Sequence, residues 1–289
     1  MEKRRDGSVV SWSRRVSEKN CAMPDPSAEP ESGATGDGLT ENRWLGGRLL
    51  LVQPKRGHRV GTDAALLVAA AGDARQGRIV DVGAGVGAVG LALAERNPLA
   101  SVDLVELDPE LAQLAEGNAA RNGLEARTRV LRLDALNSRE RRDSGLVESA
   151  DCVVTNPPFF DARAVRASPD EGRARAHVLA GAEASATLAD WIQASLAMLA
   201  PSGRFVMIHR PDALGAILAG IGGRLGALAL LPVHPTTGAS AHRLLITGVK
   251  GSKAPLRLAP GLVLHGADGR LTAEADAIHR GERLIGWGD

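Results

Sequence analysis

Four short segments carry residue types that can hold a charged, hydroxyl-bearing ligand and turn a flat amine towards it. The first is Asp81-Val-Gly83-Ala-Gly85-Val-Gly87-Ala-Val-Gly90. Glycines let the backbone turn tightly and bring its N–H groups against a ligand. Read literally, Gly85 to Gly90 fits GxGxxG, a pattern shared by several nucleotide-type cofactors that does not choose between them. Asp81 narrows the choice. A carboxylate just ahead of the glycines repels a pyrophosphate and suits a cationic ligand. The second segment, Leu104-Val-Glu106-Leu107-Asp108, sets Glu106 where it can clasp both hydroxyls of a ribose, with Leu107 beside it. Asp108 reads instead as the N-cap of the helix that follows. In the third, Asp134 can accept an exocyclic amine of adenine while the Ala135 N–H serves a ring nitrogen.

The fourth segment is Asn156-Pro157-Pro158-Phe159. An amine on a conjugated ring is a poor nucleophile because its lone pair is delocalised. The Asn156 side-chain oxygen and the Pro157 carbonyl can each accept one amine hydrogen, which turns the lone pair towards an electrophile. Positioning and fixed dipoles then supply the catalysis, and no strong base is needed. Proline stiffens the segment, and Phe159 offers a stacking face worth about 1–3 kcal/mol to a base. A cationic ligand with a ribose and an adenine, next to a site for an amine, describes S-adenosylmethionine. The candidate cofactor residues on these segments are Asp81, Gly83, Gly85, Gly87, Glu106, Leu107, Asp134, Ala135 and Asn156.

These segments can only meet if the elements between them alternate. Apolar runs at 78–82, 101–106, 128–133, 151–155 and 204–208 predict strands, and 88–96, 109–122, 188–199 and 212–221 predict helices. Two last strands, about 225–233 and 243–249, lack room for a helix between them, so one is predicted to be antiparallel. The class is α/β with a doubly wound, mostly parallel sheet, and ligands then bind at the carboxyl edge of the strands. Upstream, 45–52 predicts a strand, with a hairpin turn at Gly46-Gly47, and 63–71 a helix capped by Thr62. Residues 1–40 lack periodicity and predict a disordered tail, 41–77 a cap over the cofactor, and 78–289 the core.

Composition excludes some classes. A hydrophobic share of 44% supports a buried core. No eighteen-residue apolar run predicts a membrane span, and the charged start Met1-Glu-Lys-Arg-Arg5 is unlike a secretory leader, so a cytoplasmic protein is expected. The two cysteines, Cys21 and Cys152, have no metal spacing, and Cys152 reads as a buried thiol. A net charge of +1 does not advertise nucleic acid. Arg163, Arg166, Arg173, Arg175 and His177 nevertheless suit a phosphate backbone beside the amine site, equally with a solvated loop balanced by Asp161, Asp170 and Glu171. His209-Arg210 can reach RNA or serve the fold.

In this order and spacing the Asp-Val-Gly-Ala-Gly-Val-Gly, Val-Glu-Leu-Asp and Asn-Pro-Pro-Phe segments resemble class I methyltransferases that act on amines. Gln53-Pro-Lys-Arg-Gly57-His-Arg-Val-Gly-Thr62-Asp63 is similar to the bacterial valine-tRNA adenine-N6 methyltransferases. So are Ala174-Arg-Ala-His177, Leu188-Ala-Asp-Trp191, Gly203-Arg-Phe205, His209-Arg210-Pro211, Val233-His-Pro235 and Lys250-Gly251. The resemblance implies a Rossmann-like domain with a seven-stranded sheet and a tRNA substrate. It implies Asn156, Pro157, Pro158 and Phe159 as the target-amine site. It also implies that 53–63 folds over the methionine end of the cofactor, with Thr62 or Asp63 near its amine. His58 stands where an aromatic is usual, and Thr236 where a basic residue is expected. Guanine-N2 ribosomal RNA methyltransferases carry the amine motif too, and protein glutamine-N5 methyltransferases have a similar one that favours Tyr in the last position, so Phe159 leans towards a base. An NAD oxidoreductase or a non-catalytic RNA-binding relic are the readings outside that class.

Overall fold

The computed structural model describes residues 38–56, 59–72, 76–158 and 187–287. The basic loop at 163–177, Phe159, His58 and most of the predicted tail lie outside these residues. The chain enters through an antiparallel hairpin, β1 (Leu39–Trp44) and β2 (Leu49–Pro54). The turn does fall at Gly46-Gly47, both in the left-handed region at φ 66° and 83°. The strands differ from the predicted 45–52. Leu45 to Arg48 form the turn, and β1 begins two residues inside the predicted tail.

Helix α1 (Thr62–Ala71) follows. Gly61, not Thr62, is its N-cap, and Thr62 turns its hydroxyl to His279 Nε2 at 3.1 Å. Then the strands and helices alternate: β3 (Gln76–Val82), α2 (Ala88–Arg96), β4 (Leu99–Glu106), α3 (Pro109–Arg121), β5 (Thr128–Arg132), α4 (Ser138–Asp143) and β6 (Ala150–Thr155). After the undescribed stretch come α5 (Leu188–Met198), β7 (Leu199–His209), a 3-10 turn at Pro211–Ala213, α6 (Leu214–Ile221), β8 (Leu225–Thr236) and β9 (Arg243–Lys250). The chain closes with short strands β10 (Arg257–Leu258) and β11 (Leu262–His265) and helix α7 (Ala273–His279).

Seven strands form the predicted sheet in the order β5-β4-β3-β6-β7-β9-β8. Only β9 runs against its neighbours, antiparallel to both β7 and β8. The edge at β8 carries β10 and β11 as well, which makes this sheet nine-stranded among the described residues. Two and four residues long, these strands offer no alternation for a sequence reading to find.

The sheet is buried on both faces, as parallel sheets are. Ile79, Cys152, Val154, Val206 and Ile208 pack with α1 and α2; Val80, Val82, Val153, Phe205 and Met207 pack with α5 and α6. Alternation puts Asp81 on the Ile79 face, under the first turn of α2. Cys152 is buried as expected, and burial pushes its thiol up to about 11.

Candidate active site

Strand register brings the four segments to one edge. Val82 pairs with Val105 of β4 and with Thr155 of β6, and Glu106 pairs with Arg132 of β5. Gly83, Glu106 and Asn156 therefore leave adjacent strands at almost one level, with Asp134 just beyond. Four strands at about 4.8 Å spacing set these loops across about 14 Å.

The glycine loop is held by its own backbone. Gly83 and Ala84 donate to the Val105 carbonyl at 2.9 and 3.0 Å, and Gly87 donates to Ala84 at 2.9 Å. Gly85 has φ 57°, and open space faces the position a side chain would take, so the loop presents bare backbone there. The Gly85 N–H donates to Glu106 Oε2 at 2.7 Å, and Glu106 Oε1 accepts the Asp108 N–H at 2.9 Å. Asp108 caps α3, accepting from Glu110 and Leu111 at 2.8 and 3.2 Å. Burial raises the Glu106 carboxyl above its ordinary range against these N–H donors.

Asp81 is 3% exposed and accepts the Gly90 N–H at 2.9 Å, satisfying a first-turn donor of α2 from outside the helix. Burial lifts its carboxyl to about 7, the Gly90 N–H opposes the rise, and the Glu106 charge adds to it. Asp134 Oδ1 accepts the Leu136 N–H at 2.8 Å. Its own N–H goes to Glu140 Oε2 at 2.8 Å, and Arg141 Nη1 donates to the Ala135 carbonyl at 2.5 Å. Glu140 and Arg141 thus brace the loop from α4, a helix whose run of charges hid it in the sequence.

Asn156 and Pro158 are accessible beyond a fully buried Thr155, with Pro157 buried between them. Trp191 of α5 donates through Nε1 to Thr155 Oγ1 at 2.9 Å, and Thr155 donates to the Val82 carbonyl at 2.8 Å. A Cβ on Gly83 would lie 3.0 Å from the Trp191 ring. This chain ties the root of Asn156 to the glycine loop. Only the Leu188-Ala-Asp-Trp191 segment hinted at it.

At the side of the site, both oxygens of Asp63 accept from Arg243 Nε, at 3.0 and 2.8 Å, so this carboxylate already has a cationic partner. His209 is 7% exposed, and burial lowers its ring below the ordinary range, which sets it in the interior rather than on a surface that reads RNA.

Comparison with known proteins separates the candidate families. The model of the methyltransferase small domain matches residues 57–170. A protein of Aeromonas hydrophila named tRNA1(Val) (adenine(37)-N6)-methyltransferase is 32% identical over 222 residues, covering 73% of this chain and 84% of that one. The chain belongs to the tRNA1(Val) (adenine(37)-N6)-methyltransferase family. Relatives of that name in two strains of Porphyromonas gingivalis are 36% identical, and the matched stretch spans 60% of their length. The solved structure of a predicted O-methyltransferase from Agrobacterium tumefaciens superposes with a TM-score of 0.63 at 31% identity, over 77% of this chain and 98% of that one.

The site fits the family's cofactor. Two neighbouring carboxylates, Asp81 and Glu106, both raised by burial, favour a ligand that brings positive charge. Glu106 has also taken the Gly85 N–H that a pyrophosphate would require. Its two oxygens offer about four acceptor sites, of which the Gly85, Asp108 and Leu107 N–H groups claim a part. No helix of the described residues is long and apolar enough to cross a membrane.

Proposed function

We propose that the protein transfers the methyl group of S-adenosylmethionine to the N6 amine of an adenine in tRNA. The observation that carries this reading is the register of β6 against β3, which aligns Asn156 with the mouth of the glycine loop and braces it through Thr155 and Trp191. Glu106 would take the ribose hydroxyls, Asp134 and the Ala135 N–H the adenine, and Asp81 would answer the positive charge through the loop. When bound, S-adenosylmethionine supplies an electrophilic methyl group on a sulfonium.

Asn156 and the Pro157 carbonyl accept the two hydrogens of the target amine and aim its lone pair. An amine attacks before it sheds a proton, so an amide oxygen suffices. A hydroxyl acceptor needs a base, which Asn156 does not provide. That favours an amine over the oxygen acceptor named for the Agrobacterium protein. Phe159 would stack on the base, and the arginines of 163–175 would hold phosphates.

Three measurements test the proposal. Methyl transfer assayed on total tRNA, ribosomal RNA and release-factor peptide should label tRNA, as N6-methyladenine. Label in peptide or in guanine would overturn the substrate. Thermal-shift titration should show stabilisation by S-adenosylmethionine and S-adenosylhomocysteine; stabilisation by NAD alone would overturn the cofactor. Asn156→Ala should keep cofactor binding and lose turnover by about 100-fold or more, and full turnover would contradict its role.

A further inference from the structure

Helix α3 holds the N-terminal hairpin with two asparagine side chains. Asn118 Oδ1 accepts the Val52 N–H at 2.8 Å, and Asn118 Nδ2 donates to the Val52 carbonyl at 3.0 Å. One turn later, Asn122 Oδ1 accepts the Leu50 N–H and Asn122 Nδ2 donates to the Leu50 carbonyl, both at 2.9 Å. The match is geometric. Four helix residues rise about 6 Å, and two strand residues about 6.8 Å. Each amide also carries the donor and acceptor of a peptide group. The pair therefore acts as a further strand on the free edge of β2, which would otherwise leave buried backbone groups unpaired.

Asn118 does more than Asn122. It is fully buried, and its Nδ2 also donates to the carbonyl of Val86 at 3.0 Å, inside the glycine loop. On the hairpin side the next residue, Gln53, is 4% exposed; its Oε1 accepts the Val60 N–H at 2.9 Å, which ties Val60, just ahead of α1, to the hairpin. One amide thus links the glycine loop to the strand that also holds Val60, two residues ahead of Thr62. We infer that Asn118 is a positioning residue that couples the glycine loop to the hairpin, so that cofactor binding tightens the hairpin and hairpin docking strengthens cofactor binding. This rests on the cofactor assignment proposed above. Linkage requires the coupling to act in both directions.

The test compares Asn118→Leu with Asn122→Leu. Both remove a hairpin anchor, but only the first removes the link to Val86. Isothermal titration with S-adenosylhomocysteine should give about tenfold weaker binding for Asn118→Leu and less than about threefold for Asn122→Leu. In turnover the loss for Asn118→Leu should appear in KM for S-adenosylmethionine, with kcat largely kept. Hydrogen exchange supplies a readout independent of activity. S-adenosylhomocysteine should slow exchange of the Val52 amide in the wild type and in Asn122→Leu, but not in Asn118→Leu. Equal effects of the two variants, or ligand protection of Val52 that survives Asn118→Leu, would overturn the coupling. If the leucine variant does not fold, Asn118→Ala removes the same contacts without adding bulk; unchanged affinity and unchanged Val52 protection there would overturn it equally. A wild type that fails to bind S-adenosylhomocysteine would instead bring down the cofactor assignment.

Discussion

Replacing Asp81 with asparagine isolates the electrostatic character of the pocket. The folded chain holds the Asp81 proton up to about pH 7, whereas an unperturbed aspartate gives it up near 3.8. Between those values the folded state binds more protons than the unfolded one, so stability falls as pH rises. The contribution is whole below 3.8 and is lost as pH passes through about 7. A rise of about 3 units at about 1.4 kcal/mol each gives about 4 kcal/mol over the full range. About 2.5 kcal/mol of that falls between pH 5 and 8. Asparagine keeps an oxygen for the Gly90 N–H but does not titrate. Glu106, also raised by burial, titrates in both proteins, so the difference between the two stability curves reports Asp81. Urea unfolding at pH 5, 6, 7 and 8 should show the wild type losing about 2.5 kcal/mol relative to Asp81→Asn as pH rises. Bound cation favours the ionised carboxylate, so wild-type affinity for S-adenosylmethionine should strengthen about tenfold from pH 6 to 8 and that of the variant should not. Parallel unfolding curves would refute the burial argument. A pH-independent wild-type affinity would refute the placement of positive charge near Asp81.

Two further substitutions probe the packing around the site. Gly90→Ala would drive a methyl group into Leu104 and Val102; thermal and urea unfolding should show a loss of about 1–3 kcal/mol, with cofactor affinity reduced because α2 carries the glycine loop. Thr155→Val keeps the shape but removes the hydroxyl that bonds both Trp191 Nε1 and the Val82 carbonyl. It should destabilise by about 1–3 kcal/mol and slow methyl transfer more than it weakens cofactor binding, measured as separate effects on kcat and KM.

The alternation of strands and helices was legible because buried parallel strands are continuous apolar runs. Asp81, Glu106, Asp134 and Asn156 could be read as neighbours because each stands at or just past the end of such a run, and strand ends in one parallel sheet share an edge. The single antiparallel strand was legible from the short link between β8 and β9. Helix α4 was not, because Ser138–Asp143 has charges and no apolar face for a period to mark. Thr62 misled for a physical reason. Threonine is a common cap, but here its hydroxyl serves His279 and a glycine takes the capping position. Asn118 and Asn122 were invisible too. Two asparagines one turn apart look like a solvated helix face until the edge of β2 is known to lie against them. Asp63 was singled out by resemblance, yet its salt bridge depends on Arg243, which lies 180 residues away in the chain.

Each carboxylate of the site already serves the backbone. Asp81 holds Gly90, Glu106 holds Gly85 and Asp108, and Asp134 holds Leu136. The loops are therefore shaped by the same groups that would meet the ligand, and the carboxyl groups are set in place before anything binds. Preorganisation of this kind avoids reorienting dipoles at the moment of transfer. It also decides how substitutions must be read. Glutamine in place of Glu106 removes the charge, but its NH2 must then face either the Gly85 or the Asp108 N–H, donor against donor. Such a variant disturbs loop order together with electrostatics. Asparagine in place of Asp81 has one backbone donor to satisfy and can turn its oxygen to it. That asymmetry is why Asp81, rather than the more exposed Glu106, is the position at which charge can be separated from shape.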